Sequence, residues 1–153
     1  MEDYDFFEIK RKMKDNALKI LGYGSGRKVY DLDNGYVVKY AKNKRGLAQN
    51  KAEYNISLEL DSEYFAKIVS SSEDFSMIIM VKAEKVNRLR DVRKYYQVKN
   101  NMQLKNIQDI KNACTKYRIY FNDFTRAANW GYVNGRPKII DYGFTIEIKK
   151  RYY

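Results

Sequence analysis

Residues 19–42 read Lys19-Ile20-Leu21-Gly22-Tyr23-Gly24-Ser25-Gly26-Arg27-Lys28-Val29-Tyr30-Asp31-Leu32-Asp33-Asn34-Gly35-Tyr36-Val37-Val38-Lys39-Tyr40-Ala41-Lys42. Two β-rich runs, Lys19 to Leu32 and Tyr36 to Lys42, flank Asp33-Asn34-Gly35, and an Asn-Gly pair supplies the positive-φ positions of a tight hairpin turn. The first run is interrupted by a glycine-rich turn at Gly22, Gly24 and Gly26. Glycines there let backbone N–H groups approach phosphate oxygens with no Cβ in the way. The stretch is not a Walker loop, because no Gly-Lys-Ser/Thr follows at the right offset. Nor is it a dinucleotide fingerprint: Arg27 stands where the third glycine belongs, and a strand follows instead of a helix. A plain hairpin turn is the competing reading.

Working outward, Phe6 to Leu18 sets Phe6, Ile9, Met13 and Leu18 among charges and predicts a helix, whose apolar side (Phe6, Ile9, Met13) would lie across the strands or equally serve a dimer. Gly46 to Leu60 predicts a second helix. Tyr64 to Val69 and Phe75 to Val81 are β-rich runs around the turn-like cluster Ser70 to Asp74. In the polar stretch that follows, Leu104, Ile107, Ile110, Cys114 and Tyr117 fall on one helical face. The tail offers a strand at Trp130 to Val133, an Asn134-Gly135 turn and a strand at Lys138 to Ile140. Strands with one helix inserted, then helices, then a hairpin, specify an α+β fold rather than alternating βαβ units. With 153 residues, one proline, no Gly/Ser linker and no repeat, the chain reads as one domain.

Composition narrows the chemistry. The chain has no histidine and one cysteine, Cys114. Ser-His-Asp triads, Cys-His dyads, His-ligated zinc and disulfide scaffolds are therefore excluded. Cys114, beside Ile110 and Tyr117, reads as a small core residue. The acidic start, with no apolar run after it, predicts a cytoplasmic protein without a membrane segment. The net charge of +11 suggests a polyanionic partner. Between Lys82 and Arg118, eleven basic residues face three acidic ones, so 11 − 3 = 8 of that charge lies in one segment. An acidic protein or a nucleic acid is the expected partner of this 82–118 segment. Fifteen tyrosines and seven phenylalanines among the lysines allow a base-stacking reading, but a packed core uses the same aromatics.

Candidate chemistry lies in four places. The glycine-rich turn is the first, and Lys39, inside a β-branched run, is the second. The third is Glu53, which shares a helical face with Ile56 and Leu60 and should point inward. A buried carboxylate needs a cation; Lys39 is the first choice, and Glu59 is the alternative acid. The fourth is the tail, where Asp123, Asn129 and Asp141 bracket one hairpin with oxygen donors suited to Mg²⁺ and to proton acceptance.

Taken in this order, the four features resemble the protein-kinase-like superfamily over roughly Leu21 to Thr145. The resemblance implies a two-lobed fold. An N-lobe of about residues 1–81, with an extra N-terminal helix, would hold an antiparallel sheet and one helix, and residues 84–153 would form a reduced helical C-lobe. It implies that Gly22, Gly24, Gly26 and Val29 cover ATP, with Lys39 on the phosphates and Glu53 as its partner. Met80 would be the gatekeeper, with the hinge at Val81 to Ala83. Asp123 would be the catalytic aspartate, with Asn129 and Asp141 (in Asp141-Tyr142-Gly143) holding Mg²⁺. Phe121-Asn122-Asp123 replaces His-Arg-Asp, and Asn129 follows Asp123 by six residues instead of five. Ten residues follow Gly143, so no activation segment is expected. The implied function is a minimal phosphotransferase moving the γ-phosphate of ATP to a hydroxyl, of the kind a small phage genome carries. The alternative is a pseudokinase that acts by contact through its basic surface.

Overall fold

The computed structural model describes residues 4–153. Asp5 opens the first helix by accepting from the Glu8 amide at 3.1 Å, and α1 (Phe6–Lys14) stops before Asn16, whose φ is 55°. Leu18, expected inside this helix, lies beyond it and still joins the apolar cluster beneath. Strands β1 (Ile20–Tyr23), β2 (Arg27–Asp31) and β3 (Tyr36–Ala41) form an antiparallel meander. Positive φ falls on Asp33 (57°) and Gly35 (89°), not on Asn34. Leu32 N donates to Tyr36 O at 3.1 Å across that loop, so the Asn-Gly pair is part of a longer turn than the motif implies.

Helix α2 (Lys44–Glu59) starts ahead of the expected Gly46, because Asn43 caps it by accepting from the Gly46 amide at 3.1 Å. Strands β4 (Ile68–Ser71) and β5 (Met77–Val81) complete a five-stranded antiparallel sheet in the order β1-β2-β3-β5-β4. The run from Tyr64 does not enter this sheet until Ile68. Phe65 instead bridges to Ile139, and the Ala66 amide donates to the Ile139 carbonyl at 2.9 Å. Ser70 and Ser71, read as turn residues, belong to β4; Phe75 takes the positive φ of the turn that follows, at 62°.

The second half begins with β6 (Glu84–Lys85), α3 (Leu89–Tyr95), α4 (Asn101–Lys105) and α5 (Gln108–Tyr117). The single face expected from Leu104 to Tyr117 is divided at Asn106-Ile107, where α4 closes on itself and Ile107 takes an extended ψ of 125°. Its apolar residues nonetheless reach one core. Two 3₁₀ turns, Phe121–Thr125 and Ala127–Asn129, lead into β7 (Trp130–Val133) and β8 (Arg136–Ile139); β7 pairs with both β6 and β8 in a three-stranded antiparallel sheet. Here Asn134 and Gly135 both carry positive φ, 53° and 78°, as a type I′ hairpin demands. Helix α6 (Ile146–Tyr152), capped by Thr145, closes the described chain.

Among the described residues the fold is α+β, with antiparallel sheets and six α-helices. Its main core joins Val37, Ile56 and Met80 of the first half to Leu104, Ile110, Phe124, Trp130 and Tyr142 of the second. A smaller cluster sets Ile9 of α1 against Tyr30, Val38, Met77 and Ile79, which places α1 across the sheet as expected. Trp130 is buried with its indole N–H donating to Phe124 O at 2.8 Å, and Cys114 is half-buried. Among the described residues, no helix is long and apolar enough to cross a membrane.

Candidate functional site

Strand register and helix period bring the site together. Val29 pairs with Lys39 and Arg27 with Ala41, so by the two-residue pleat Arg27, Val29 and Lys39 share one face of the sheet. On α2, Gly46, Asn50 and Glu53 fall at i, i+4 and i+7, and all three are buried. Glu53 has no exposure at all, and Lys39 has 5%. The Lys39 ammonium donates to Glu53 Oε1 and to the Ile140 carbonyl. Glu59, the alternative acid, is exposed and meets Lys116 and the Tyr117 hydroxyl instead.

Glu53 does more than hold a lysine. Its Oε2 accepts the backbone amides of Tyr142 and Gly143, each at 2.9 Å, and Arg27 Nη2 lies at 3.3 Å. One helix carboxylate thus anchors the backbone of Asp141-Tyr142-Gly143. Burial alone would raise its pKa, but Arg27, Lys39 and these hydrogen bonds outweigh that and hold it down at about 2. Burial lowers the Lys39 pKa more than Glu53 raises it.

Arg27 was read in the sequence only as a missing glycine. It is 6% exposed and fills the space between the two halves of the site. Its Nη2 donates to Asp141 Oδ1 at 2.6 Å, and its Nη1 donates to Asn50 Oδ1 at 3.1 Å. Asn50 is fixed in turn by donating to Phe75 O at 2.8 Å and Lys39 O at 3.3 Å. Burial opposes the guanidinium charge, but the Glu53 and Asp141 carboxylates more than offset it, so its pKa is raised. The signal that could have found Arg27 is strand parity: it alternates with Val29 on the face that Lys39 occupies.

The other expected residues fall around this cluster. Gly22 pairs with Val29 in the strand ladder, and a Cβ there would meet nothing within 4 Å. The Gly24 amide donates to Arg27 O at 2.8 Å, closing the turn. Gly26 is buried against α2: its Cβ would lie 2.9 Å from Gly46 N, so its lack of a side chain serves helix packing. Met80 is buried between Val37 and Ile68, while Val81 and Ala83 are half-buried ahead of β6.

Asp123 lies in the first 3₁₀ turn, half-buried. Burial, and then the neighbouring Asp141 charge, push its pKa up to about 6. Asn129, 7% exposed, donates from Nδ2 to the Asp123 carbonyl at 2.5 Å and so holds the turn that presents Asp123. Asp123 and Asn129, six residues apart, lie in two successive 3₁₀ turns.

The fit to Mg²⁺ is poor in this arrangement. Asp141 Oδ1 is engaged by Arg27, Asn129 is oriented by its Nδ2 donating to the Asp123 backbone, and the described residues contain no group of three acidic or sulfur ligands able to hold a metal. Two surface cavities of about 220 and 390 Å³ are lined by other residues, the larger by Leu47, Phe75 and Tyr152 among them. In comparisons with known proteins, no family model matches the chain. No curated protein is detectably similar to it either.

Proposed function

We propose that the chain is a minimal, two-lobed, protein-kinase-like phosphotransferase that binds ATP between residues of about 1–81 and 84–153 and transfers the γ-phosphate to a hydroxyl of a protein or of itself. The observation that carries this reading is the convergence of Lys39, Glu53 and Asp141 from three distant stretches of chain. Asp123 adds to it, since its pKa responds to Asp141 and Glu53. In the proposed reaction Lys39, held by Glu53, offers its ammonium to the phosphates. The acceptor oxygen forms a bond to the γ-phosphorus, the bond to the bridging oxygen breaks, ADP leaves, and Asp123 takes the acceptor's proton. Such transfer depends on positioning and charge neutralisation, so the absence of histidine is no obstacle. Asp123 is largely ionised at neutral pH if it titrates near 6, which suits a base. Mg²⁺ is part of the proposal only if Arg27 leaves Asp141, and no step above depends on it.

One observation favours the pseudokinase reading, with binding to an acidic protein or nucleic acid as its function: Arg27 sits on Asp141. The 82–118 basic residues are exposed except for half-buried Arg93, although Lys82, Lys116 and Arg118 already meet Asp31, Glu59 and Glu147. Incubation with γ-labelled ATP separates the readings. Label transferred by the wild type and lost in Lys39→Met supports the enzyme; no transfer, with nucleic-acid binding that falls steeply with salt, supports the binder.

A further inference from the structure

We propose that the cavity of about 390 Å³ between α2, the β4–β5 turn and α6 is a binding site for a small aromatic anion, a compact ring system carrying a carboxylate, sulfonate or phosphate group. Lys39, Glu53, Asp123 and Asp141 do not line it. The inference therefore goes beyond the phosphotransferase reading and does not rest on it.

Helix period builds the first wall. Lys44, Leu47, Ala48 and Lys51 fall at i, i+3, i+4 and i+7, a stripe of α2 turned away from the buried stripe of Gly46, Asn50 and Glu53. Two aromatic rings share the cavity with it, Phe75 from the β4–β5 turn and Tyr152 from the last turn of α6. The Phe75 φ of 62° is rare for a bulky residue. It is sustained by Asn50 Nδ2 donating to the Phe75 carbonyl at 2.8 Å and by the Phe75 amide donating to Ser72 O at 3.2 Å. Phe75 and Tyr152 are half-buried and Leu47 is 37% exposed, yet none of the three joins either apolar core. They are apolar surface that folding leaves uncovered, gathered around one hollow. Its volume suits a small molecule, since pockets for such ligands begin near about 300 Å³.

Charge decides what kind of ring fits. Lys44, Lys51 and Arg151 line the same cavity, and none of them has an ion-pair partner among the described residues. Asp74 is the one acid in the wall. Its Oδ1 accepts from the Ser76 amide at 3.0 Å and from the Ser72 and Ser76 hydroxyls at 2.9 and 2.7 Å. Three cations against one anion leave the cavity positive. Lys51 Nζ lies 5.8 Å from the centre of the Phe75 ring, and the Arg151 guanidinium lies 5.4 Å from that of Tyr152. Positive charge thus stands directly beside the rings. A neutral aromatic would leave these cations without a counter-ion, and an inorganic anion would leave the rings in water. A planar apolar body bearing an anionic group meets both needs.

Fluorescence titration of the full chain with the aryl sulfonate anilinonaphthalene sulfonate tests the site. Wild type is expected to bind the dye saturably and to melt at a higher temperature in its presence, because binding to the native state alone raises stability. Lys51→Glu and Arg151→Glu, both at exposed positions, should each weaken binding about tenfold or more, since each reverses a charge at the cavity. Either one decides the question if the other does not fold. Arg90→Glu, exposed on the 82–118 segment, should bind as wild type does. The uncharged analogue phenylnaphthylamine should bind more weakly, and equally to wild type and to the charge variants. The proposal is overturned if wild type shows no saturable binding, or if the dye lowers the melting temperature. It is overturned equally if the Lys51 and Arg151 variants bind like wild type, if Arg90→Glu loses as much as they do, or if the uncharged analogue binds as tightly as the sulfonate. No ATP is present, so a protein that never transfers phosphate still gives a clear answer.

Discussion

Two carboxylates, Glu53 on α2 and Asp123 in the first 3₁₀ turn, are both withdrawn from water, and their acidities move in opposite directions. Glu53 is surrounded by donors: the Lys39 ammonium, the Arg27 guanidinium and two backbone amides. Asp123 is half-buried with the Asp141 charge nearby, and its strongest influence is burial itself. The contrast teaches that depth alone does not set a carboxylate's role. Donors make Glu53 a permanent anion and a structural anchor, whereas their scarcity leaves Asp123 able to exchange a proton near neutrality.

Removing the anchor should have the largest effect. Glu53→Gln replaces one of the two accepting oxygens with an NH₂ that faces either Lys39 or the Arg27, Tyr142 and Gly143 donors, and removes the charge that Lys39 and Arg27 share, so it should cost on the order of 3–5 kcal/mol of stability. Urea unfolding monitored through Trp130 measures it; a change within 1 kcal/mol (roughly, given context) would mean that the donors do not depend on this acid.

On the other side of the comparison, Asp123→Asn should leave the fold intact and, on the proposed phosphotransferase reading, lower phosphate transfer by about 10²–10⁴-fold. An equal loss of stability in both variants would erase the distinction between anchor and base.

Acid titration sharpens it further. The folded pKa of Glu53 is depressed, so its contribution is complete above about pH 4.5 and is lost as pH falls toward 2. The folded pKa of Asp123 is raised from about 4, so its contribution to stability is complete below that value and is lost as pH rises through about 6. Wild-type unfolding free energy should therefore fall steeply below pH 4.5, and Asp123→Asn should flatten the slope only between about 4 and 6. A slope in that window unaffected by the substitution would show that Asp123 titrates normally.

The smallest effect is expected at Asn129. Its alanine variant loses the hydrogen bond to the Asp123 carbonyl, at about 1 kcal/mol. Thermal melting measures this loss, and a melting temperature equal to wild type would show that the 3₁₀ turns hold Asp123 unaided.

How much of this was legible in the sequence follows the same division. Glu53 was readable because helix period tied it to Ile56, and the buried stripe on α2 bears that spacing out. The Asn134-Gly135 hairpin was readable because both residues tolerate the left-handed backbone they adopt. Arg27 was not, since a cation in a β-rich run looks like a solvent-facing residue until the register sets it opposite Ala41. The two-residue β6 is too short to leave a pattern and exists through pairing with Tyr132 and Gly131. Helix α6 was missed beside the more conspicuous Asp141-Tyr142-Gly143, although Thr145 is an ordinary cap that accepts from the Ile148 amide. The break between α4 and α5 was hidden because its flanking apolar residues keep helical spacing while the backbone turns at Ile107.

The most direct test is quantitative transfer of labelled γ-phosphate from ATP by the purified chain, alone and with a protein extract, comparing wild type with Asp123→Asn. Incorporation by the wild type that disappears in a folded Asp123→Asn protein is the result expected. No incorporation by the wild type, or equal incorporation by both, contradicts the assignment of Asp123 as the base of a phosphotransfer site.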